Sequence, residues 1–319
     1  MIKRAVIDIG TNTCLLLIAE ADHIGYMQVI SDVHAIARLG AGVDKSKNIQ
    51  PDAYERLKKI LTNHKKVIEE KKVPQTCVIA TSAMRDAENR YEIIKKIKDD
   101  CGFEIELLSG EDESLWSYRG AMCGLSKEEL QLEVGALDIG GGSTEVSFGR
   151  NGKYQHGQSI NIGAVRITER FLSARNPDSV ILARQFVKSE IEAGLDRNIS
   201  IKKLIAVAGT PTALGAMKLK LHTFDSHKVN RVIISAHELQ TMSSEIFSLS
   251  AEELIKKYPA VHPSRADILP AGSLILEEII KFLHIDEFQI STFGLRFGMM
   301  IREFEKIFNA KSDAWVVEY

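Results

Sequence analysis

The feature that most constrains this 319-residue chain is an internal duplication. The segment AVIDIGTNTCLLL at 5–17 aligns with GALDIGGGSTEVS at 135–147, and each reads as a strand, a tight turn and a second strand. A second match, VIATSAMRDA at 78–87 with VAGTPTALGA at 207–216, falls at nearly the same separation. Turns of this kind are short and one match could arise by chance. Two matches at one spacing indicate two related α/β halves that face each other across a cleft.

Hydrophobic periodicity and capping signals predict the elements between these landmarks. The sequence predicts helices over 52–72, 89–101, 264–283 and 295–308, a strand over 103–108, and capping boxes at Ser235 and Ser250. Pro270 either kinks the third of these helices or separates it into two pieces. The repeat predicts a boundary near 120–133, where the stretch 126–133 is charged, and so predicts domains at 1–124 and 125–319. The helix from about 295 is expected to pack back on the first domain.

Composition excludes several classes of protein. The net charge is −2, so no overall basic excess points to nucleic acid or to an anionic membrane. Apolar runs are far shorter than the roughly 20 residues that span a bilayer. Four cysteines without a CxxC pair predict neither a disulfide framework nor a zinc site. We therefore expect a reduced, cytoplasmic enzyme whose positive charge, if the substrate is an anion, is local.

The second duplicated turn has the composition of a phosphate-binding loop. Glycines leave backbone N–H groups free of side chains, and concave arrays of such groups bind anions. The predicted phosphate-binding residues of this turn are Gly140, Gly141, Gly142, Ser143 and Thr144. Asp138 ends the preceding strand and could hold Mg²⁺, whereas strand alternation allows only one of Thr144 and Glu145 to point inward. The alternative is a tight hairpin with no ligand.

Two further segments complete the predicted site. TSAMR at 81–85 places Ser82 and Arg85 at the start of a helix, and a helix N-terminus attracts anions. Arg85 could pair with a surface carboxylate, but a phosphate, which it can bind through two nitrogens, is the favoured partner. SGEDES at 109–114 places three acids in the first turn of another helix, where the helix dipole favours them. One of Glu111, Asp112 and Glu113 could act as a general base for water, and the residues alone do not choose among them.

The motifs DIGTNT, ATSAMRDA, SGEDES and DIGGGSTE, in this order, resemble the exopolyphosphatase/guanosine pentaphosphate phosphohydrolase family in its short two-domain form. The resemblance implies two duplicated ribonuclease H-like domains of the actin, hexokinase and Hsp70 fold. It implies that Glu113 is the catalytic base and that Asp138 and Glu145 serve Mg²⁺ and catalysis, with Asp8 as a third metal contact. Arg85 falls on the phosphate-facing arginine of the family. Asp112 and Ser114 depart from the family pattern, which leaves the role of Asp112 open.

The resemblance further implies Mg²⁺-dependent release of terminal orthophosphate from inorganic polyphosphate. Guanosine pentaphosphate hydrolysis and a non-catalytic polyphosphate or alarmone sensor are the alternatives, and a kinase of the same fold is a further rival. The first loop, Thr11, Asn12 and Thr13, is expected to hold phosphate with the second. A polyanion also needs a basic track, for which Arg38, Arg166, Arg265 and Arg296 are predicted; Arg166 and Arg265 could instead form structural salt bridges. A homodimer is expected.

Overall fold

The computed structural model describes residues 1–173, 176–196, 199–309 and 315–319. The β-strands are β1 (Ile2–Ile9), β2 (Thr13–Ala21), β3 (Tyr26–Ile36), β4 (Thr76–Ala80), β5 (Glu106–Leu107), β6 (Glu133–Ile139), β7 (Thr144–Arg150), β8 (Lys153–Ile160), β9 (Lys203–Val207), β10 (Ile233–Ser235), β11 (Glu287–Ile290) and β12 (Val316–Glu318). The α-helices are α1 (Val43–Ser46), α2 (Pro51–Glu70), α3 (Ser82–Asp86), α4 (Arg90–Cys101), α5 (Gly110–Ala121), α6 (Lys127–Leu130), α7 (Ala164–Ile167), α8 (Pro177–Gly194), α9 (Gly209–Lys218), α10 (Ser226–Val229), α11 (Ala236–Ser248), α12 (Ala251–Lys257), α13 (Pro263–Ala266), α14 (Leu269–Phe282) and α15 (Leu295–Phe308). A π-helix, Thr168–Leu172, continues α7.

The strands form two mixed sheets that carry the duplication into three dimensions. The first sheet has the order β12-β3-β2-β1-β4-β5 and the second has the order β10-β11-β9-β6-β7-β8. The two orders correspond when the second is read from its other end and β12 and β10 are left out. The strands β3, β2, β1, β4 and β5 then match β8, β7, β6, β9 and β11. In each sheet the turn of the first hairpin closes with the same bond, because Gly10 N donates to Thr13 O at 2.8 Å and Gly140 N donates to Ser143 O at 3.0 Å. The prediction of two related halves is confirmed.

The predicted elements are found with small shifts at their ends. Helix α15 has the predicted bounds, and both predicted capping boxes form, at Ser235 with Glu238 and at Ser250 with Glu253. Pro270 lies in the first turn of α14, so it separates α13 from α14 rather than kinking one long helix. The predicted strand over 103–108 was too long, because only Glu106 and Leu107 pair with β4.

Helices cover both faces of each sheet, an outer face and an inner face that is turned toward the other sheet. Helices α2 and α4 cover the outer face of the first sheet, and α8, α9, α11 and α14 contribute to the apolar core on the outer face of the second. We call each sheet with its outer helices a half. The inner faces hold the two central helices, since α15 packs on β1 and β2 while α5 packs on β6, β7 and β8. Division of the chain into domains at residue 124 stays a prediction.

The central helices cross at glycines. A Cβ at Gly120 would lie 2.1 Å from the carbonyl oxygen of Gly294, and one at Gly298 would lie 1.7 Å from the carbonyl oxygen of Trp116. Both neighbours are backbone atoms, which cannot move aside as a side-chain tip can. The crossing thereby packs the second half of α5 against the first turn of α15.

Replacing Gly298 by alanine should therefore lower the free energy of unfolding by about 1–3 kcal/mol, because overpacking forces backbone shifts. Urea unfolding of the variant measures the change. Gly194→Ala at the end of α8 is the control, because the three atoms nearest to a Cβ there all belong to the side chain of Ile160, at 3.2 to 3.5 Å. An equal loss of stability in both variants would contradict the close helix crossing.

Within the part of the chain that the structure describes, no helix is both long enough and apolar enough to cross a membrane.

Candidate active site

The two duplicated turns meet between the halves. A Cβ at Gly141 would lie 2.8 Å from the Cβ of Thr11, and one at Gly142 would lie 2.3 Å from the hydroxyl oxygen of Ser82. Only glycine permits this approach, which explains the composition of the second turn. The cavity left between the turns has a volume of about 20 Å³. It has room for about one water molecule, so the two turns are closely packed here.

The peptide groups of the second turn are oriented by α7. The carbonyls of Gly140 and Gly141 accept from the N–H groups of residues 164–166, and the carbonyl of Gly142 accepts from Nε of Arg166 at 2.8 Å. A trans peptide points its N–H away from its carbonyl, and no peptide bond is cis in the described residues. The N–H groups of Gly141, Gly142 and Ser143 are thus turned to the opposite side, and none finds an acceptor in the described chain. Such an array is an anion-binding cradle.

Polar side chains that could contact a phosphate lie around this cradle. The Ser82 hydroxyl and the Asn12 side-chain N–H₂ are buried without a hydrogen-bond partner in the structure. Thr11 is buried beside them, and Thr13 is partly buried. The hydroxyl of Thr144 is not brought to this group, because it donates to the carbonyl of Ile162 at 2.5 Å.

Four carboxylates form a cluster behind the turns. Asp8 and Asp138 occupy equivalent positions one residue before the ends of β1 and β6. Glu145 lies directly opposite Asp138 in the β6–β7 ladder, so the two side chains share one face of the sheet. Glu113 reaches the cluster from α5. Alternation therefore selects Glu145, and not Thr144, as the inward residue of β7.

Burial and mutual repulsion change the proton affinities of these acids. Burial, together with the neighbouring charges of Glu113 and Asp138, raises the pKa of Asp8 to about 7. The pKa of Glu145 is raised by burial, then by Glu113 and Asp138, and burial also raises the pKa of Asp138. Arg296 counteracts part of this effect at Asp8 and Asp138.

Glu113 is the buried acid of its helical turn. Ser109 caps α5 by accepting from the N–H of Asp112, and Glu111 and Asp112 lie exposed. Glu113 is 7% exposed and accepts from Nη1 of Arg85 at 2.9 Å. Burial, with a smaller contribution from the charge of Asp138, raises the pKa of Glu113 to about 7, although Arg85 opposes the rise. Burial thus distinguishes Glu113 from Glu111 and Asp112, which the sequence alone left as equal candidates. A pKa near 7 suits a general base at neutral pH.

Serines that the sequence reasoning missed hold two of the acids. Ser117 donates to Oδ2 of Asp138, and Ser159 donates to Oε1 of Glu145 at 2.7 Å. Ser117 follows Glu113 by four residues, so helical spacing alone places both on one face of α5. Ser159 opposes Glu145 in the β7–β8 ladder, and only the strand register reveals that.

The cluster fits a divalent cation. Oδ1 of Asp8 is buried without a hydrogen-bond partner, and several carboxylates that repel one another are relieved by a cation between them. Among the described residues, no group of three Asp, Glu, His or Cys side chains is already arranged as a metal site. Mg²⁺ is commonly held by one or two carboxylates, waters and substrate phosphates, so it does not need such an arrangement.

Three of the four arginines predicted as a polyphosphate track are paired with aspartates. Arg38 donates to Asp267 at 2.9 Å, and Arg296 donates to both oxygens of Asp32 at 2.8 and 3.0 Å. Arg166 pairs with Asp44 and Asp86, not with the nearby Glu169. Their contact with a substrate stays a prediction.

Arg265 differs from the other three. Its guanidinium fills the space beside Gly209 at the start of α9, and no ion pair or hydrogen bond of this group is found within the described residues. Burial and the nearby charge of Arg296 lower the pKa of Arg265 to about 10.

Comparisons with known proteins agree with this architecture. A sequence model of the Ppx/GppA phosphatase family matches residues 17–307. The bifunctional 3-dehydroquinate synthase/phosphatase of Fusobacterium nucleatum is 32% identical over 295 residues, which make up 89% of this chain but only 44% of that protein. Exopolyphosphatase 2 of Mycobacterium tuberculosis is 29% identical over 316 residues, covering 94% of this chain and 98% of the relative.

A solved structure extends the likeness to the backbone. The crystal structure of the Ppx/GppA family member from Aquifex aeolicus matches with a TM-score of 0.80 at 27% identity, over 96% of this chain and 98% of that one. The predicted α/β fold of the actin type is therefore confirmed.

Proposed function

The chain belongs to the Ppx/GppA phosphatase family, and on that premise we propose that it is an exopolyphosphatase, which releases orthophosphate from the end of inorganic polyphosphate with the help of Mg²⁺. The observation that carries the proposal is the pairing of an amide cradle with a buried acid. The cradle consists of the N–H groups of Gly141, Gly142 and Ser143. The acid is Glu113, whose pKa lies near 7.

The proposed reaction needs positioning and charge stabilisation more than covalent chemistry. The cradle, Ser82 and the Asn12 amide hold the oxygens of the terminal phosphate. Glu113 accepts a proton from water while the water oxygen bonds to the terminal phosphorus and the anhydride bond to the shortened chain breaks. Arg85 lies beside Glu113 and binds the phosphate oxygens on which charge accumulates.

Asp8, Asp138 and Glu145 are the residues that would hold the magnesium ion. When bound there, Mg²⁺ supplies positive charge to the phosphate oxygens and so stabilises the transition state. Ser117 and Ser159 fix the carboxylates of Asp138 and Glu145 by hydrogen bonds, as the outer partners of metal ligands would.

The direct test is phosphate release by the purified protein with Mg²⁺. Long polyphosphate and guanosine pentaphosphate are supplied at matched concentrations of terminal phosphate. We expect faster release from polyphosphate and loss of release after chelation of the metal. Faster release from the nucleotide would move the function to guanosine pentaphosphate hydrolysis. Release from neither, with tight binding retained, would contradict a hydrolase and favour a sensor.

A kinase of the same fold is separated by one further assay. ATP consumption that depends on an added acceptor would contradict the hydrolase. Cytoplasmic location and a homodimer stay predictions alongside the proposed function.

A further inference from the structure

Arg166 contacts both halves of the molecule and the phosphate cradle at once. Its Nε donates to the carbonyl of Gly142 at 2.8 Å, its Nη1 donates to Asp44, and its Nη2 donates to Asp86. The side chain is only about 9% exposed. One guanidinium thus has a partner on each of its three nitrogens, and two of the three partners lie across the cleft.

The two aspartates belong to the first half. Asp44 lies in α1 and Asp86 ends α3, and Val43 and Met84 beside them are buried in the core on the outer face of the first sheet. Arg166 lies in α7, and its neighbour Ile167 is buried in the core of the second half. Separation of the halves must therefore break both ion pairs of Arg166.

The contact with Gly142 decides the direction of one cradle N–H. Because the peptide between Gly142 and Ser143 is trans, holding its carbonyl on the side of α7 turns the Ser143 N–H to the opposite side. Backbone N–H groups of α7 hold the other two carbonyls. The Gly142 carbonyl, in contrast, is held by the side chain of Arg166, whose position depends on its contacts with the other half of the molecule.

Neighbouring contacts strengthen the same bridge. Arg170 also pairs with Asp44, and the N–H of Gly42 donates to Glu169 at 3.0 Å. Each of these contacts joins the segment after Gly163 to the segment that contains α1. Asp44 and Glu169 also line the cavity of about 20 Å³ beside the cradle.

We propose that Arg166 is a positioning residue that completes the phosphate cradle only when the two halves close, because Asp44 and Asp86 hold its guanidinium against the Gly142 carbonyl. This inference rests on the proposed function for its substrate, a terminal phosphate. It assigns Arg166 to the cradle rather than to an outer track for the polyphosphate chain. An open molecule releases the arginine from the aspartates, so the Ser143 N–H loses its fixed direction and terminal phosphate is held less well.

The test compares Arg166→Lys with the wild type. Lysine keeps the positive charge but offers a single ammonium, which cannot hold three partners in the geometry of the planar guanidinium. Arg184→Lys is the matched control, because Arg184 pairs with Glu277 and Glu278 and takes no part in the site. Asp86→Asn is a milder second variant, since Asp86 is 26% exposed and its loss leaves Asp44 in place.

Hydrogen–deuterium exchange of the peptide that covers residues 140–144 is measured first, with and without inorganic tripolyphosphate. We expect weaker protection by tripolyphosphate in Arg166→Lys and Asp86→Asn than in Arg184→Lys and the wild type. This readout needs no turnover, so failure of the proposed hydrolysis does not hide the result. Exchange equal to that of the control in both variants would overturn the proposal.

Kinetics with tripolyphosphate separate positioning from simple loss of folding. Misplacement of the cradle should raise KM and lower kcat/KM by about 10–100-fold in Arg166→Lys. A purely structural role lowers only the fraction of active protein, which leaves KM unchanged and scales kcat with the folded fraction. The second pattern would overturn the inference even where the hydrolase is confirmed.

Discussion

Replacing Glu113 by glutamine should lower the rate of phosphate release from polyphosphate by about 10²–10⁴-fold, because general-base catalysis contributes about that much. Glutamine keeps the size of the side chain and its carbonyl oxygen, so the hydrogen bond from Arg85 is retained. It cannot accept a proton from water. Binding of polyphosphate should therefore persist, and kcat measured at saturating substrate is the quantity that changes.

Glu111→Gln is the matched control for this variant. Glu111 lies in the same turn of α5, undergoes the same chemical change, and is exposed. We expect its kcat to stay near that of the wild type. If Glu113→Gln hydrolysed polyphosphate at the wild-type rate, Glu113 could not be the base; if both variants lost activity together, damage to α5 would explain the effect.

Removal of one carboxylate from the cluster also changes the other acids. The charge of Glu113 raises the pKa of Asp8 and of Glu145. The neutral variant relieves this repulsion, so its loss of activity cannot be assigned to poorer ionisation of those two acids. Glu113→Gln thus tests the base itself more cleanly than a substitution that adds charge.

The sequence predicted the parts of the site that depend on local spacing. Asp8 and Asp138 follow from the duplicated strand-turn pattern, and the cradle follows from the three glycines after Asp138. The bounds of α15 follow from its apolar stripe. In each case a short segment contains all the information, since strand alternation and helical periodicity act over a few residues.

Contacts between distant segments were not predictable in the same way. Asp32 binds Arg296 from 264 residues away, and Asp44 binds Arg166 from 122 residues away. No periodicity links such pairs, because their meeting depends on how the two halves pack. The arginines consequently suggested a surface for a polyanion, and the structure instead gives three of them carboxylate partners.

The choice among three acids in SGEDES shows the same limit. The sequence predicted that these acids lie at the start of a helix. Which of them is buried depends on the second sheet, against which α5 packs. The family resemblance, and not the spacing, pointed to Glu113. Burial now supplies the physical reason, since Glu111 and Asp112 remain in solvent.

Replacing Arg85 by methionine should lower kcat/KM for polyphosphate by about 10²–10³-fold, as expected when a preorganised donor to developing charge is removed. Nη1 of Arg85 donates to Glu113 and to the carbonyl of Leu108, which fixes the plane of the guanidinium. Nε and Nη2 donate to no acceptor in the described part of the chain, so this edge remains free for a phosphate. Arg85→Lys should recover little activity, because lysine lacks the second donor of the fork.

The pH profile gives this variant a second, independent readout. Arg85 lowers the pKa of Glu113, so its removal should raise that pKa further. A base acts in its ionised form, and the acid limb of the kcat/KM profile should therefore move to higher pH in Arg85→Met. Arg184→Met, which removes the ion pairs with Glu277 and Glu278 outside the site, is the control and should leave the limb in place. A large loss of activity with an unmoved acid limb would mean that Arg85 binds phosphate without tuning Glu113, whereas a moved limb with little loss would mean that the arginine serves the base and not the substrate.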